Sequence, residues 1–122
     1  MTEEMLSNWV KTLGEAWVTR NPELIGSICA DDVKYYEHPF EEPRIGRNAV
    51  IAEWKTVPNS QKDITFDYAV MGIANDVGIA HWRASFTRIP EEKRDTLDGV
   101  FTIKLDENEL FTEFHMWWVT KD

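Results

Sequence analysis

The clearest strand pattern in the chain is ITFDYAVMGIANDVGIAHWRASFT, residues 64–87. Apolar side chains alternate with polar or small ones over Ile64–Val70, which is the period of a half-buried β-strand. Asn75-Asp76 then predicts a turn, because both residue types tolerate the backbone conformations of tight turns. A second strand is expected over Val77–Thr87. The stretch therefore predicts an antiparallel hairpin.

The same reasoning extends in both directions from this hairpin. Downstream, the pattern predicts a charged connection at Pro90–Asp95 and two more strands, Thr96–Leu105 and Leu110–Val119. Upstream, it predicts three helices at 2–20, 21–30 and 48–57, a short strand at Val33–Glu37 and a loop at His38–Gly46. Helices followed by long strands without intervening helices are typical of an α+β fold. Without a linker or a repeat, residues 1–122 are interpreted as one domain.

The first helix carries the strongest helical signal. Met5, Trp9, Leu13 and Trp17 recur every fourth residue and form an apolar stripe along one face. Thr2 is expected to cap the helix, since its side chain can accept a bond from a free backbone N–H of the first turn. This helix is therefore the expected partner of the sheet.

Composition excludes several classes of function. The 122 residues carry a formal net charge of -9, which disfavours nucleic acid and anionic membranes as partners. No apolar run is long enough to cross a membrane, and residues 1–6 carry two glutamates and no apolar stretch, so a signal peptide is not expected there. The single cysteine, Cys29, is expected on a buried helix face with an unreactive thiol. A lone thiol favours a reducing, cytoplasmic location.

The last two predicted strands are apolar on both faces. Phe101 lies opposite Val100, and Trp118 lies opposite Trp117, because successive side chains of a strand point to opposite sides. A sheet that is apolar on both faces needs two covers. The helices supply one of them, and a second copy of the chain is the expected other. We therefore predict a homodimer through the sheet.

Residues 21–54 show a familiar order of short patterns. They run from Asn-Pro-Glu-Leu through Ala-Asp-Asp-Val to Tyr-Glu-His-Pro-Phe-Glu-Glu-Pro-Arg-Ile-Gly-Arg and an apolar helix with Trp54. This order resembles the nuclear transport factor 2-like superfamily, in particular its SnoaL-like polyketide cyclase and ketosteroid isomerase branch. The resemblance implies a cone, in which a strongly curved mixed or antiparallel sheet wraps around the N-terminal helices as an α+β roll. It also implies a pocket at the open end of the cone, and dimers through the outer sheet face.

His38 is the first candidate for chemistry. In ketosteroid isomerases a similar stretch carries an aspartate general base just before a proline, and here Glu37-His38-Pro39 places a histidine there. A histidine is suited to proton transfer near neutral pH. The alternative is a histidine that packs in the loop. Asp98 is the possible counterpart of the isomerases' neutral acid, although its offset from the following turn equally allows a structural role beside Gly99.

Five aromatic side chains are expected to line the pocket. Tyr36 is included because it lies two residues before His38 and so shares its side of a regular strand. The predicted ligand-binding residues are Trp17, Tyr36, Trp54, Phe101 and Trp118. Glu53 is interpreted as an exposed helical position.

Two functions remain open at this point. The first is a cofactor-independent isomerase, cyclase or hydratase that acts on a small apolar or polycyclic substrate, with His38 as acid and base. The second is a non-catalytic module that binds a hydrophobic ligand or dimerises as an accessory subunit. No cofactor is predicted, and a metal site built from His38, His81 and His115 is disfavoured because they lie on different elements without short ligand spacing.

Overall fold

The computed structural model describes residues 1–121. Four helices and six strands follow one another along the chain. In chain order these elements are α1 (Glu3–Val18), α2 (Pro22–Ser27), β1 (Cys29–Tyr36), β2 (Arg44–Ile45), α3 (Arg47–Trp54), α4 (Val57–Ser60), β3 (Gln61–Ala74), β4 (Val77–Arg88), β5 (Lys93–Leu105) and β6 (Phe111–Lys121).

The strands form one mixed sheet in the order β2-β1-β6-β5-β4-β3. The hairpin expected from residues 64–87 is β3 and β4, which pair antiparallel with Tyr68 opposite Trp82. β4 with β5 and β5 with β6 are also antiparallel. β6 then pairs parallel to β1, which brings Tyr35 beside Phe114. The predicted α+β fold with a mixed sheet and N-terminal helices is confirmed.

α1 lies against one face of this sheet, and we call that face the inner face. The Thr2 hydroxyl accepts a hydrogen bond from the Met5 backbone N–H at 3.1 Å, so the predicted cap is present. The helix buries its stripe almost completely, with Trp9 and Leu13 at 3% and 1% exposure. Burial of such large side chains contributes roughly 1.5–3 kcal/mol each, which fixes the helix on the sheet.

A chain of aromatic rings continues from α1 across the inner face. The Trp17 and Trp82 ring centroids lie 5.5 Å apart, and Trp82 stacks on Phe101 at 4.9 Å. Phe101 contacts Phe114 at 5.0 Å. Phe114 stacks on Tyr35 at 4.9 Å with nearly parallel planes. These rings connect the end of α1 to β1, and they form the floor on which the candidate site lies.

Several predicted boundaries are wrong: β1 begins at Cys29 rather than Val33, and β2 lies inside the predicted loop. α2 ends at Ser27 rather than near Ala30, so Cys29 begins β1 and is buried in a strand instead of a helix. The third predicted helix ends at Trp54, and Pro58 lies in the first turn of the separate helix α4, where its missing N–H costs nothing. β5 begins at Lys93, inside the predicted connection.

Within the described residues 1–121, no helix covers the other sheet face, which we call the outer face. Trp117 and Val119 are exposed there by 41% and 71%. Their alternation with the partly buried Met116 and Trp118 agrees with the expected two-faced strand. The homodimer through this face stays a prediction. Within residues 1–121, no helix has the length and apolar character that crossing a membrane requires.

Candidate functional site

A recess of about 70 Å³ opens where α1 ends, beside α3 and α4. Aromatic and aliphatic side chains form most of its wall, and two carboxyl groups lie among them. The lining residues are Leu13, Trp17, Tyr35, Glu37, Glu53, Trp54, Thr56, Val57, Gln61, Phe101, Phe114 and Met116. None of them carries a positive charge. The recess is therefore apolar with one acidic side.

Strand periodicity places two of the polar groups. Val33 and Tyr35 of β1 are buried on the inner face, and Lys34 between them is exposed. Glu37 continues the same alternation just beyond the strand and reaches the recess beside Tyr35. On the other side, α3 ends with Glu53 and Trp54, which both face the recess. The site thus lies between the end of one strand and the end of one helix.

Tyr35 offers a hydrogen-bond donor to the recess. Its hydroxyl oxygen accepts the indole N–H of Trp54 at 3.2 Å. The hydroxyl proton has no acceptor among residues 1–121, although Tyr35 is only 2% exposed. Burial, and then the nearby Glu37 charge, raise the pKa of Tyr35 well above its ordinary value, so the group keeps its proton. A buried O–H without a partner is costly and is available to a ligand.

The two carboxyl groups of the recess, Glu37 and Glu53, differ in their surroundings. Burial, and then a hydrogen bond with Glu53 and the charge of that group, raise the pKa of Glu37 to about 8. Glu53 pairs with the Arg44 guanidinium at 3.1 Å, and none of the ion pairs within residues 1–121 includes Glu37. Two carboxyl groups this close cannot both ionise readily. Near neutral pH Glu37 therefore keeps its proton.

A second, open depression of about 290 Å³ adjoins the recess. Tyr35 and Glu37 line both spaces, so they stand at the junction. The remaining lining residues come from the loop after β1 and the start of β2: His38, Glu41, Glu42 and Arg44. The depression is polar, in contrast to the aromatic recess. The recess is therefore an apolar chamber, and the depression is its charged entrance.

The sequence that forms this site, together with most of the rest of the chain, matches a known family. The model of the SnoaL-like domain matches residues 10–114, which is most of the chain. The chain belongs to the SnoaL-like family. No curated protein matches the sequence. The family match confirms the resemblance seen in residues 21–54, and it places the protein in the nuclear transport factor 2-like superfamily.

Solved structures share the fold of this SnoaL-like domain at low sequence identity. A putative isomerase from Bacillus subtilis superposes with a TM-score of 0.83 at 12% identity, covering 98% of this chain and 90% of that one. A protein with a ketosteroid isomerase-like fold from Catenulispora acidiphila, in complex with trimethylamine, gives 0.78 at 14%, covering 89% and 83%. An epoxide hydrolase/cyclase-like enzyme of pyran ring formation in the polyether salinomycin gives 0.78 at 14%, covering 96% and 89%. At these identities the likeness shows the fold alone.

Three of the predicted ligand-binding residues lie in the wall of the recess of this SnoaL-like domain: Trp17, Trp54 and Phe101. The Trp17 indole N–H donates to the Gln61 side-chain oxygen at 2.7 Å, which fixes the ring against the chamber. Trp118 is not a lining residue, and its ring lies 4.9 Å from that of His38.

His38 lies in the open depression rather than in the recess. Its side chain is 47% exposed, and Nε2 lies 3.3 Å from the Glu41 carboxylate. β1 ends at Tyr36, so His38 follows the strand and borders the entrance. The structure therefore brings His38 beside Glu37 at the junction but not into the aromatic chamber. Its catalytic role stays a prediction.

Two predicted site residues lie on the outer face. Tyr36 stacks on His115 at 4.3 Å, because Tyr35 takes the inward position of the strand. The face predicted for Tyr36 is therefore the opposite of the observed one. Asp98 accepts hydrogen bonds from His81 at 2.8 Å and Arg83 at 2.9 Å, which lower the pKa of its carboxyl. Its neighbour Leu97 takes the buried side, so Asp98 does not reach the recess.

Sequence reasoning missed three polar groups of the site. In the sequence Glu37 is marked only as the residue before His38, and the pattern of α3 predicts an exposed position for Glu53. The Glu53 side chain is in fact 26% exposed and bonded to Arg44. The signal that could have found Tyr35 and Glu37 was the spacing from Val33, which is an apolar position two residues before Tyr35. No local pattern marks Glu53, since its role depends on contact with another segment.

Proposed function

We propose that this SnoaL-like domain binds a compact, largely apolar carbonyl compound in the recess and moves a proton on it. The observation that carries the proposal is the buried Tyr35 hydroxyl, whose proton lacks an acceptor and which faces the same chamber as a pair of carboxyl groups. An apolar chamber with a few convergent polar groups is the usual form of a small-molecule site. A carboxyl group with a raised pKa in such a site, as Glu37 has, is typical of acid–base catalysis.

The polar groups suit proton transfer next to a carbonyl. The Tyr35 O–H would donate to the carbonyl oxygen, and the Trp54 N–H bonded to the Tyr35 oxygen strengthens that donor. The ionised member of the Glu37–Glu53 pair would accept a proton from the adjacent carbon. The protonated member would return one to another atom. An isomerase would use these two proton transfers directly. A cyclase or hydratase would use the same donor and acceptor on other bonds.

His38 has a place in this proposal at the entrance. It lines the open depression together with Glu37, between the carboxyl pair and bulk water. A histidine there can exchange protons between solvent and the pair after each turnover. His38→Gln is then expected to slow the reaction without abolishing it, whereas Glu37→Gln removes the acid itself.

The size of the chamber favours a compact ligand. Its volume of about 70 Å³ is well below the roughly 300–1,000 Å³ of pockets for drug-sized molecules. A polycyclic substrate would have to displace the stacked rings of the floor. A single small ring or a short branched chain would displace far less of the wall. We therefore choose cyclohexanone as the first probe.

Hydrogen exchange in heavy water tests the proposal. Cyclohexanone exchanges the hydrogens next to its carbonyl for deuterium when an acid and a base act on it, and proton NMR follows the loss of signal. The wild type is expected to accelerate the exchange above buffer, and Glu37→Gln, which mimics the protonated acid in shape, is expected to remove the acceleration. Glu41→Gln is the matched control, because Glu41 lies in the same loop but outside the recess.

The outcome separates the enzyme from a binding module. If the wild type binds the ketone without accelerating exchange, the non-catalytic alternative is favoured. The small number of polar groups in the wall supports this second function. A module that only binds the ketone would keep its affinity in Glu37→Gln, since Tyr35 still donates. If Glu41→Gln loses the acceleration as fully as Glu37→Gln does, the role of the recess is refuted.

We also propose that the protein is a homodimer through the outer face. Trp117 and Val119 expose large apolar side chains on neighbouring outward positions of β6. Exposed apolar patches of this kind mark interaction surfaces in many proteins. The opposite face is already occupied by α1, so the association would leave the recess unobstructed.

A further inference from the structure

Three hydrogen-bond donors in the wall of the recess are already bound to protein acceptors. The Trp54 indole N–H donates to the Tyr35 hydroxyl oxygen at 3.2 Å, and the Trp17 indole N–H donates to the Gln61 side-chain oxygen at 2.7 Å. The Thr56 hydroxyl donates to a backbone carbonyl oxygen of α3 at 2.8 Å. Since each of these donors has its acceptor, none of them needs a bond from a ligand.

Gln61 differs from these residues because its amide nitrogen is left over. An indole N–H can donate but cannot accept, so the bond from Trp17 must end on the Gln61 oxygen, and both amide N–H groups are turned away from that indole. Among residues 1–121 these N–H groups have no acceptor. The hydroxyl proton of Tyr35 also lacks an acceptor there. Gln61 and Tyr35 therefore both bring uncommitted donors to the wall of the recess.

The backbone fixes the position of Gln61 at the start of β3. Its N–H donates to the Val57 carbonyl oxygen of α4, and the Arg20 guanidinium lies 3.5 Å from its own carbonyl oxygen. In the sheet, β3 is the strand at one end, and β1, which carries Tyr35, is next to the strand at the other end. The two donors therefore reach the same recess from widely separated strands.

We propose that the ligand of the recess carries two acceptor oxygens, one bonded by the Tyr35 hydroxyl and the other by the Gln61 amide. Gln61 is then the residue that distinguishes a ketone with a second oxygen, such as a diketone, from an apolar ketone of the same size. An apolar group against the amide would remove its water without replacing the hydrogen bond, which is the cause of the discrimination. This inference rests on the proposed function, since it assumes that the recess is the ligand site.

Two ring ketones of similar size test the second oxygen. The first is the cyclohexanedione whose two carbonyl groups lie opposite each other on the ring, and the second is the methylcyclohexanone whose methyl group lies opposite its carbonyl. The added oxygen of the diketone can only accept, so it reports on a donor in the wall. In calorimetric titrations of the wild type, we expect the diketone to bind about five-fold more tightly, beyond the statistical advantage of its two equivalent ends.

Gln61→Glu separates the donor from the structural role of this residue. The carboxylate keeps an oxygen for the Trp17 N–H and removes both amide N–H groups. The diketone should therefore lose its advantage, while the methylated ketone should bind nearly as before. Asn59→Asp is the matched control, because it makes the same change from amide to acid on an exposed residue of α4 outside the recess wall. Asn59→Asp should keep the wild-type preference.

A measurement on the wild type covers the case in which Gln61→Glu does not fold. Gln61 is the only glutamine of the chain, so isotope-labelled glutamine gives a single side-chain amide group in nitrogen-correlated NMR. The diketone should shift one proton of this group downfield, as a new hydrogen bond does. The methylated ketone should leave that proton without the downfield shift.

The results distinguish this inference from the function on which it rests. Equal affinity for the two ketones, a preference that survives Gln61→Glu, or an equal loss of preference in Asn59→Asp overturns the second oxygen and leaves the recess as a ketone site. The same conclusion follows if the labelled amide protons respond identically to both ketones. If neither ketone binds, both the inference and the proposed function fail.

Discussion

Replacing Glu37 by glutamine should change how the stability of the protein depends on pH. In the folded protein the pKa of Glu37 is raised from 4.5 to about 8, chiefly by burial and then by Glu53. In the unfolded chain the group ionises at its ordinary value. Between these two values the folded state therefore binds the proton that the unfolded state has released. The stabilising effect of that proton is complete below the unfolded pKa and is lost as the pH rises toward the folded one.

The size of the effect follows from the proton balance. Within this window, each rise of one pH unit lowers the free energy of unfolding by about 1.4 kcal/mol if one whole proton is involved. From about pH 5 to about pH 7 the upper limit is then roughly 2.7 kcal/mol. Partial exposure of Glu37 and sharing of the proton with Glu53 reduce the expected loss to about 1–2 kcal/mol. For a domain of this size that corresponds to roughly 4–8 °C in Tm.

Thermal unfolding followed by tryptophan fluorescence measures this directly. The wild type, Glu37→Gln and the control Glu41→Gln are compared across the same pH range. Because other groups also titrate, the informative quantity is the difference in Tm between each variant and the wild type. As the pH rises, the Tm of Glu37→Gln should increase relative to the Tm of the wild type. A difference that stays constant from about pH 5 to about pH 8 would refute the raised pKa of Glu37.

Two further predictions concern the sheet. Trp117→Glu should convert the proposed dimer into a 14.3 kDa monomer in sedimentation equilibrium. A wild type that already sediments as a monomer would remove the interface proposal. Gly99→Ala should destabilise the fold by about 3 kcal/mol or more, since its new Cβ would overlap the Trp117 carbonyl oxygen; a Tm within about 2 °C of the wild type would show that β5 and β6 can separate locally without cost.

The strands were predictable because their pattern is local. Over Ile64–Val70 and Phe111–Val119 the alternation of side chains follows from the pleat of each strand, whatever its neighbours are. The parallel pairing of β1 with β6 was not predictable in this way, because distant segments decide it. The end of α2 was missed for a related reason. Ile25 and Cys29 are four residues apart and fit a helix, while the sheet takes Cys29 as the first residue of its strand.

The candidate site was predictable only in its apolar part. Trp17, Trp54 and Phe101 are large apolar residues of the inner face, and such residues line any chamber between helices and sheet. The sequence predicted that Tyr36 faces the recess, whereas Tyr35 does. Both residues are tyrosines, and β1 ends at Tyr36, so the alternation of the strand does not continue regularly to His38. A shift of one residue exchanges the two faces of a strand.

The proximity of Glu37 and Glu53 could be recognised only in the folded chain. Glu37 and Glu53 are sixteen positions apart and lie on a loop and a helix, and each alone resembles an ordinary surface glutamate. Arg44, which binds Glu53, comes from a third segment. The properties of the site arise from the proximity of these groups and from burial, which no single pattern in the sequence encodes.

The proposed function requires that the recess at the end of α1 hold a compact carbonyl ligand at Tyr35. Nitrogen-correlated NMR of the tryptophan indole N–H groups during a cyclohexanone titration can detect such a ligand. The signals of Trp54, which donates to Tyr35, and of Trp17, which lines the wall, should shift together and saturate. In Tyr35→Phe the affinity should fall about ten-fold, for a lost bond of about 1.4 kcal/mol. Shifts confined to Trp117 on the outer face, or no saturable shift at Trp54 and Trp17, would contradict the account.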